Sequence, residues 1–537
     1  MADLKPVDTT PSPESEIDTQ TPGDEKHINK NGRHIETKTE ILHEYHEEEG
    51  YIIDVDIEAG GSDLGIKVAP DGHTRLIPQP SDDENDPLNW TWGKKHLILF
   101  IISLTAFLPD YGSATGAVTL LPQAIQWNMT PDDVNHSQAG NVFMLGAGGI
   151  FSVIFSAYFG RLPVTFWFIL ISAATAAWCA GATSFASFMA ARILNGFFST
   201  IMQVVGLVYI QDIFFFHERV RKINIWAAFF VLSPYAGPLL AAFMIEKLDS
   251  SVPFWVFFAL NALALGLIVV FLEETYYDRS IPADAQPARG TRLARLTGVA
   301  QWRSRHLRNT FSQACWRMVS VGLKPTVAIA CLFYILTFAW AVGINTTLAI
   351  FVTPLYGFGP KQVGYFYFTP VVAVLLAEIL GRWIHDAIAN QYIRSHHGRF
   401  EPEVRLRVNF LSMPLVVVGL VLIGQSFENQ WHFMALSVCW GLYVFGMMIT
   451  TVSLSSYCLD SYPEASGEVS ALLNFSRTLG GFIISYLQVR WADKQGTKTS
   501  FGIQAAVCGF AFLFVLVLLR WGKAMRVAAG QLNFTTS

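Results

Sequence analysis

Twelve stretches of this chain are apolar over close to the ~20 residues that an α-helix needs to cross a bilayer. They lie near 97–122, 138–158, 165–183, 188–211, 223–245, 253–272, 326–350, 364–385, 407–425, 432–457, 466–488 and 501–521. Lipid offers no partner to a backbone N–H or C=O, so a spanning chain must be helical or a closed barrel. Runs this long read as helices. Composition agrees: 52% of the 537 residues are hydrophobic and 15% are charged, where a soluble protein is nearer a quarter charged. The expectation is an all-α membrane protein with twelve transmembrane helices in two halves of six.

The loops give the chain a direction. Arg161, the trio Arg219, Arg221 and Lys222, the 279–324 segment, and Arg394, Arg399, Arg405 and Arg407 fall on one side. The opposite loops "QWNMTPDDVNHS", "ATSFAS" and "GQSFENQW" contain no Lys or Arg; Lys247, Lys361, Arg490, Lys494 and Lys498 are the exceptions on that side. Basic loops stay in the cytoplasm, which places both termini there. The sequons at Asn128 and Asn135 then face outward, where N-glycosylation is possible.

Residues 1–90 are rich in acids and poor in apolar side chains, and read as a disordered acidic cytoplasmic tail. Their polar start argues against a cleavable signal peptide. A six-helix half over 91–278, a basic linker over 279–324, a second half over 325–522 and a short cytoplasmic tail over 523–537 follow. In the linker, "TRLARLTGVAQWRSRHLRNTF" spaces Leu293, Leu296, Val299 and Trp302 as on a helix, among Arg292, Arg295, Arg303, Arg305 and Arg308 and without an acid. This predicts a basic amphipathic helix on the membrane surface, with a calmodulin-type target helix as the alternative.

Other chemistry is absent from the sequence. The six Cys form no CxxC pair, which argues against a disulfide framework or a zinc site. There is no GxxxxGK[ST] phosphate loop and no HExxH box, and the pair His396-His397 sits in a polar loop. No cofactor, metal, catalytic group or nucleic-acid partner is expected. A membrane enzyme is the competing class and would need such a constellation.

Six spans, a basic middle loop and six more resemble the plan of the major facilitator superfamily. The local motifs are similar too: "ENDPLNWTWGKKH" before the first span, "YFGRLPV" at 158–164, "RILNGFF" at 192–198, "DIFFFHERVRKINIW" at 212–226, "SPYAGPLL" at 233–240 and "EETYYDR" at 273–279. They look like those of fungal drug:proton antiporter-like members, including the polyamine and histidinol transporter group. In "YFGRLPV" the aspartate and extra bases of the full motif are missing. The resemblance covers roughly residues 85 to 522. It implies a monomeric secondary transporter of the plasma or vacuolar membrane, with a small-molecule substrate held between two rocking halves and protons as the drive. Gly160 and Arg161 would gate, and Pro234, Gly237 and Pro238 would bend the fifth span. Trp340, Asn345, Trp440 and Tyr443 lie on the seventh and tenth spans, which would line the cavity; each either meets substrate or packs on a neighbour. Export of a drug-like compound or secondary metabolite is the first expectation, and uptake of amines such as polyamines the second.

Charges inside the spans mark the working groups. Asp110, in "LTAFLPDYGSATG", lies 13 residues after Leu97, roughly 20 Å into a ~30 Å hydrocarbon layer. Facing lipid there would cost at least ~2.5 kcal/mol, so it should meet a wet cavity or a partner. Arg192, on the fourth span, lies at matching depth and is the expected partner, either as a working pair or as a static tie. Glu378 has Arg382 at i+4, a favourable local pairing. Arg477, within "NFSRTLGGF", needs a partner that the sequence does not name.

Overall fold

A computed structural model describes residues 67, 76–279, 281–282, 286, 290–305, 310–395 and 401–530. Most of the acidic tail, His396-His397, Arg308 and Arg399 lie outside the described residues. The spans are Trp92–Trp127, Pro131–Phe159, Arg161–Ala180, Phe185–Ile213, Phe216–Ile245 and Val252–Phe271 in the first half. In the second half they are Pro325–Tyr356, Pro360–Tyr392, Pro402–Glu428, Phe433–Ser461, Ser466–Gln495 and Thr497–Ala529. Eleven of these helices are long and apolar enough to cross a membrane. The eleventh span, Ser466–Gln495, is long enough but carries Glu468, Asn474, Arg477 and Arg490 among its serines and glycines. It reaches through the bundle because its polar side chains find partners inside.

Packing repeats between the halves. The first span lies along the fifth and the third along the sixth, as the seventh lies along the eleventh and the ninth along the twelfth. The second pairs with the fourth as the eighth does with the tenth. The halves meet through the second span on the eleventh, the fifth on the eighth, and the first on the seventh. The same surfaces are therefore used twice, related by the repeat.

Three boundaries differ from the sequence reading. Packed structure begins before residue 91: Ile77, Asp86 and Trp90 are buried, and Asp86 accepts both guanidinium N–H groups of Arg279 at 3.1 and 2.8 Å. Thus "ENDPLNW" and "EETYYDR" are two sides of one clasp. The twelfth span continues past 522 to Ala529, because Arg526 is buried against Glu403 at 3.1 Å. The linker forms separate helices, Arg292–Thr297, Val299–Arg303 and Phe311–Gly322. Gly298, at φ 92, breaks the expected single helix. Arg292 does not lie free on a surface; it donates to the Val269 and Leu272 carbonyls at the end of the sixth span at 2.8 and 3.1 Å.

Candidate functional site

A small cavity lies between the halves. Its walls come from the first span (Asp110, Ser113), the second (Gln138), the fifth (Pro234, Tyr235), the seventh (Phe338, Asn345) and the eleventh (Arg477, Thr478). A void lined by both halves is where an alternating-access carrier holds its load.

Asp110 sits in this wall, and its partner is Arg477 rather than Arg192. Arg477 Nη1 donates to Asp110 Oδ2 at 3.0 Å, and both side chains are buried. Gln203 Nε2 donates to the same oxygen at 2.9 Å. Arg477 Nη2 donates to Asn474 Oδ1 at 2.8 Å, and the guanidinium lies 4.6 Å over the Phe230 ring. A buried ion pair is held best when its spare donors and acceptors are also satisfied; Gln203 and Asn474 supply part of that, while Arg477 Nε has no acceptor among the described residues. Arg192 has the right depth but another direction. It donates to the Gly112 and Ser113 carbonyls at 3.4 and 2.7 Å. Span depth fixes height and leaves azimuth open, so a match in height between Asp110 and Arg192 did not make them a pair.

The fifth span carries both prolines inside one continuous helix, and the carbonyls they free are accounted for. Proline removes the N–H that would pair with the carbonyl four residues earlier. Pro238 therefore frees the Pro234 carbonyl, and Asn345 Nδ2, from the other half, donates to it at 3.0 Å. Pro234 frees the Phe230 carbonyl, and the Ser233 hydroxyl donates to that at 2.8 Å. Gly237 has no Cβ because the Tyr111 carbonyl of the first span occupies that space.

Gly160 turns the chain between the second and third spans at φ 98. Arg161 then pairs with Asp212 at the end of the fourth span and donates to the Thr275 hydroxyl at 3.2 Å. Glu274 accepts the backbone N–H groups of Arg161 and Leu162, both at 3.2 Å. These ties fasten the linker end of the first half.

Of the aromatic candidates, none lines the cavity. Trp440 is buried against Phe366 and Tyr367, with centroids at 5.6 and 5.3 Å. Tyr443 is fully buried where Gly419 of the ninth span packs on its backbone. Trp340 packs towards Trp491 of the eleventh span. The few polar residues of these helices mark no single face, so their cavity face cannot be read from pattern. Glu378 and Arg382 form no ion pair; both line a separate void near the linker end, with His385, Asp386 and Arg405. Asn135 is buried and donates to the Ser485 carbonyl at 3.2 Å, which leaves no room for a glycan. Asn128, the exposed cap of the first span, stays available.

Gln203, Asn474, Gln138 and Tyr235 are site residues that the sequence reading passed over. A signal existed for three of them: an amide deep in an apolar span needs a partner as a charge does.

Known proteins agree with this architecture. The family model described as Major Facilitator Superfamily matches residues 99–485. The chain is 23% identical to the MFS-type transporter hepF of Aspergillus oryzae, over 83% of this chain and 92% of that one. It is 25% identical to the MFS-type transporter penM of Penicillium rubens, over 80% and 84%. Among solved structures, the proton:xylose symporter XylE superposes with TM-score 0.57 at 14% identity, covering 82% of this chain and all of that one. The human organic anion transporter MFSD10 superposes with TM-score 0.55 at 17% identity, covering 78% and 99%. Twelve spans in a repeated packing, a cavity between the halves and a family match over most of the length lead to one assignment: the chain belongs to the Major Facilitator Superfamily.

Proposed function

We propose that this protein is a proton-coupled secondary transporter that carries a small organic compound through the central cavity by alternating access. The observation that supports this reading is the Asp110–Arg477 ion pair. It joins the first half to the second across the cavity wall. A proton on Asp110 removes the charge that holds Arg477, so protonation alters both the contact between the halves and the charge offered to substrate. The basic loops put the linker and both termini in the cytoplasm, and the plasma membrane is the proposed seat.

Export, the first expectation of the sequence, requires proton and substrate to displace one another at the site. Uptake along an inward proton gradient requires them to bind together. The test is the full-length chain reconstituted in sealed vesicles with an imposed pH gradient and a panel of labelled aromatic acids, amines and neutral analogues. Gradient-driven accumulation of an unaltered compound, lost in Asp110→Asn, is the expected result. Accumulation indifferent to the gradient, or chemical conversion of the compound, would overturn the proposal.

A further inference from the structure

The charges around the cavity do not balance. Asp110 is one carboxylate, and Arg477 neutralises it at 3.0 Å. Arg192 is a second guanidinium, 2% exposed, and among the described residues it forms no ion pair. Its contacts are the Gly112 and Ser113 carbonyls and the Phe188 and Phe254 rings, at 5.6 and 5.5 Å. Dipoles and ring faces soften the burial of a cation but leave its charge standing.

Its surroundings are also short of partners. Arg192 Nε has no acceptor, and Gln138 Oε1 has no donor. The two groups flank Gly116, where a Cβ would lie 2.9 Å from Arg192 Nη2 and 3.0 Å from Gln138 Oε1. Gln138 is part of the cavity wall, so Arg192 stands one side chain behind it. Ser113 Oγ, in the same wall, is a further buried polar atom without a partner. Each buried polar group without a partner calls for an explanation, and for Gln138 Oε1 and Ser113 Oγ, both in the cavity wall, a group bound in the cavity supplies one.

We infer that the transported compound is an organic anion, carboxylate-bearing or similar, and that Arg192 is the residue that receives its charge, with Ser113 and Gln138 as neutral contacts. This rests on the transporter reading above and narrows its substrate class. One negative charge brings the site to neutrality, whereas an ammonium would add to an existing surplus. The inference also fixes the sign of coupling. Asp110 faces Arg477 on the eleventh span and Gln203 on the fourth, with the phenols of Tyr235 and Tyr334 nearby. When Asp110 takes a proton, both guanidiniums are left to the anion. Binding of either then favours binding of the other, since linkage is reciprocal, and the two travel together.

The test uses the detergent-purified full chain and three probes of one shape: naphthoate, naphthamide and naphthylmethylammonium. Thermal stabilisation is read against probe concentration, without any gradient. Naphthoate should stabilise the protein and the other two should not. Arg192→Gln should weaken naphthoate by about tenfold or more, the scale of a lost charge-assisted hydrogen bond, and Arg192→Lys should recover part of it. Asp110→Asn should tighten naphthoate binding, a gain that misfolding cannot imitate. Preference for the amine, equal naphthoate binding in Arg192→Gln, weaker binding in Asp110→Asn, or no response to any probe would each overturn the inference. Because no gradient is involved, such a failure would leave proton-coupled transport standing, and loss of gradient dependence in vesicles would leave this result standing.

Discussion

The fifth and eleventh spans hold equivalent places in the repeat, and they are built from opposite materials. Each lies along the first span of its own half, and each crosses to the other half, the fifth to the eighth and the eleventh to the second. The fifth carries two prolines and is apolar in the membrane. The eleventh carries the charge. Along its length it meets the first half at Gln211, Leu145, Asp110, Asn135 and Asp132. One copy of a shared architecture has become the proline-bearing element and the other the polar seam. Symmetric packing does not require symmetric chemistry; it requires only that each exposed polar group find a partner across the interface.

The largest effect that can break this comparison is on the polar side. Arg477→Gln leaves Asp110 buried without its cation, and loss of one partner of a buried pair costs ~3–5 kcal/mol. The melting temperature should fall steeply. Arg477→Gln combined with Asp110→Asn should regain much of that stability while remaining without gradient-driven transport. If the double variant is as unstable as the single, the pair is not what ties the halves.

The proline side makes a smaller but sharper prediction. Asn345→Leu strands the Pro234 carbonyl, an unsatisfied buried acceptor worth ~1–3 kcal/mol. Pro238→Ala returns the helical N–H to that carbonyl. The cost of Asn345→Leu should therefore shrink in the Pro238→Ala background, measured as a double-mutant cycle in thermal stability. Equal costs in both backgrounds would mean that Asn345 acts elsewhere.

At the linker end the clasp behaves as an acid-sensitive contact. Burial works against the ionised Asp86 carboxylate, but the Arg279 fork and the N–H groups of Leu88 and Ser81 outweigh it and hold the carboxyl below the usual range. A lowered folded-state value stabilises above the ordinary carboxylate pKa and is lost as pH falls through the lowered one. Asp86→Asn should cost ~1–2 kcal/mol near neutrality, and the gap from the parent should close as pH drops below ~4. A gap that is constant with pH would remove the ionic part of the clasp. The smallest effect belongs to Arg490→Ala at the opposite end, where the pair with Asp132 is open to solvent. Exposed pairs contribute ~0.2–1 kcal/mol, so stability should hardly move, and a large fall would show that the eleventh span is anchored from that end.

Much of this was legible in the sequence, for a physical reason. Hydrocarbon thickness sets span length, so twelve runs of the right size give twelve helices. Asp110 and Arg477 declared themselves as charges at membrane depth. What the sequence withheld was direction around each helix axis. Arg192 fits Asp110 in height and Arg477 had no partner named, and only packing shows that Arg477 meets the carboxylate while Arg192 meets carbonyls. Trp340, Trp440 and Tyr443 sit on helices whose few polar residues mark no single face, so nothing marked them as packed rather than lining. The proline and glycine motif was visible as a bend, but its complement, Asn345, lies 111 positions from Pro234 on another helix.

That last separation bears on how the protein can be taken apart. The defect that Pro238 makes in the first half is repaired by a side chain that belongs to the second. A first half produced alone, or grafted onto a second half with an apolar residue at the place of Asn345, inherits a carbonyl inside the bundle with no donor to meet it. The halves look like interchangeable modules by shape, yet each is finished by the other, and any chimera of this protein has to carry Pro238 and Asn345 together.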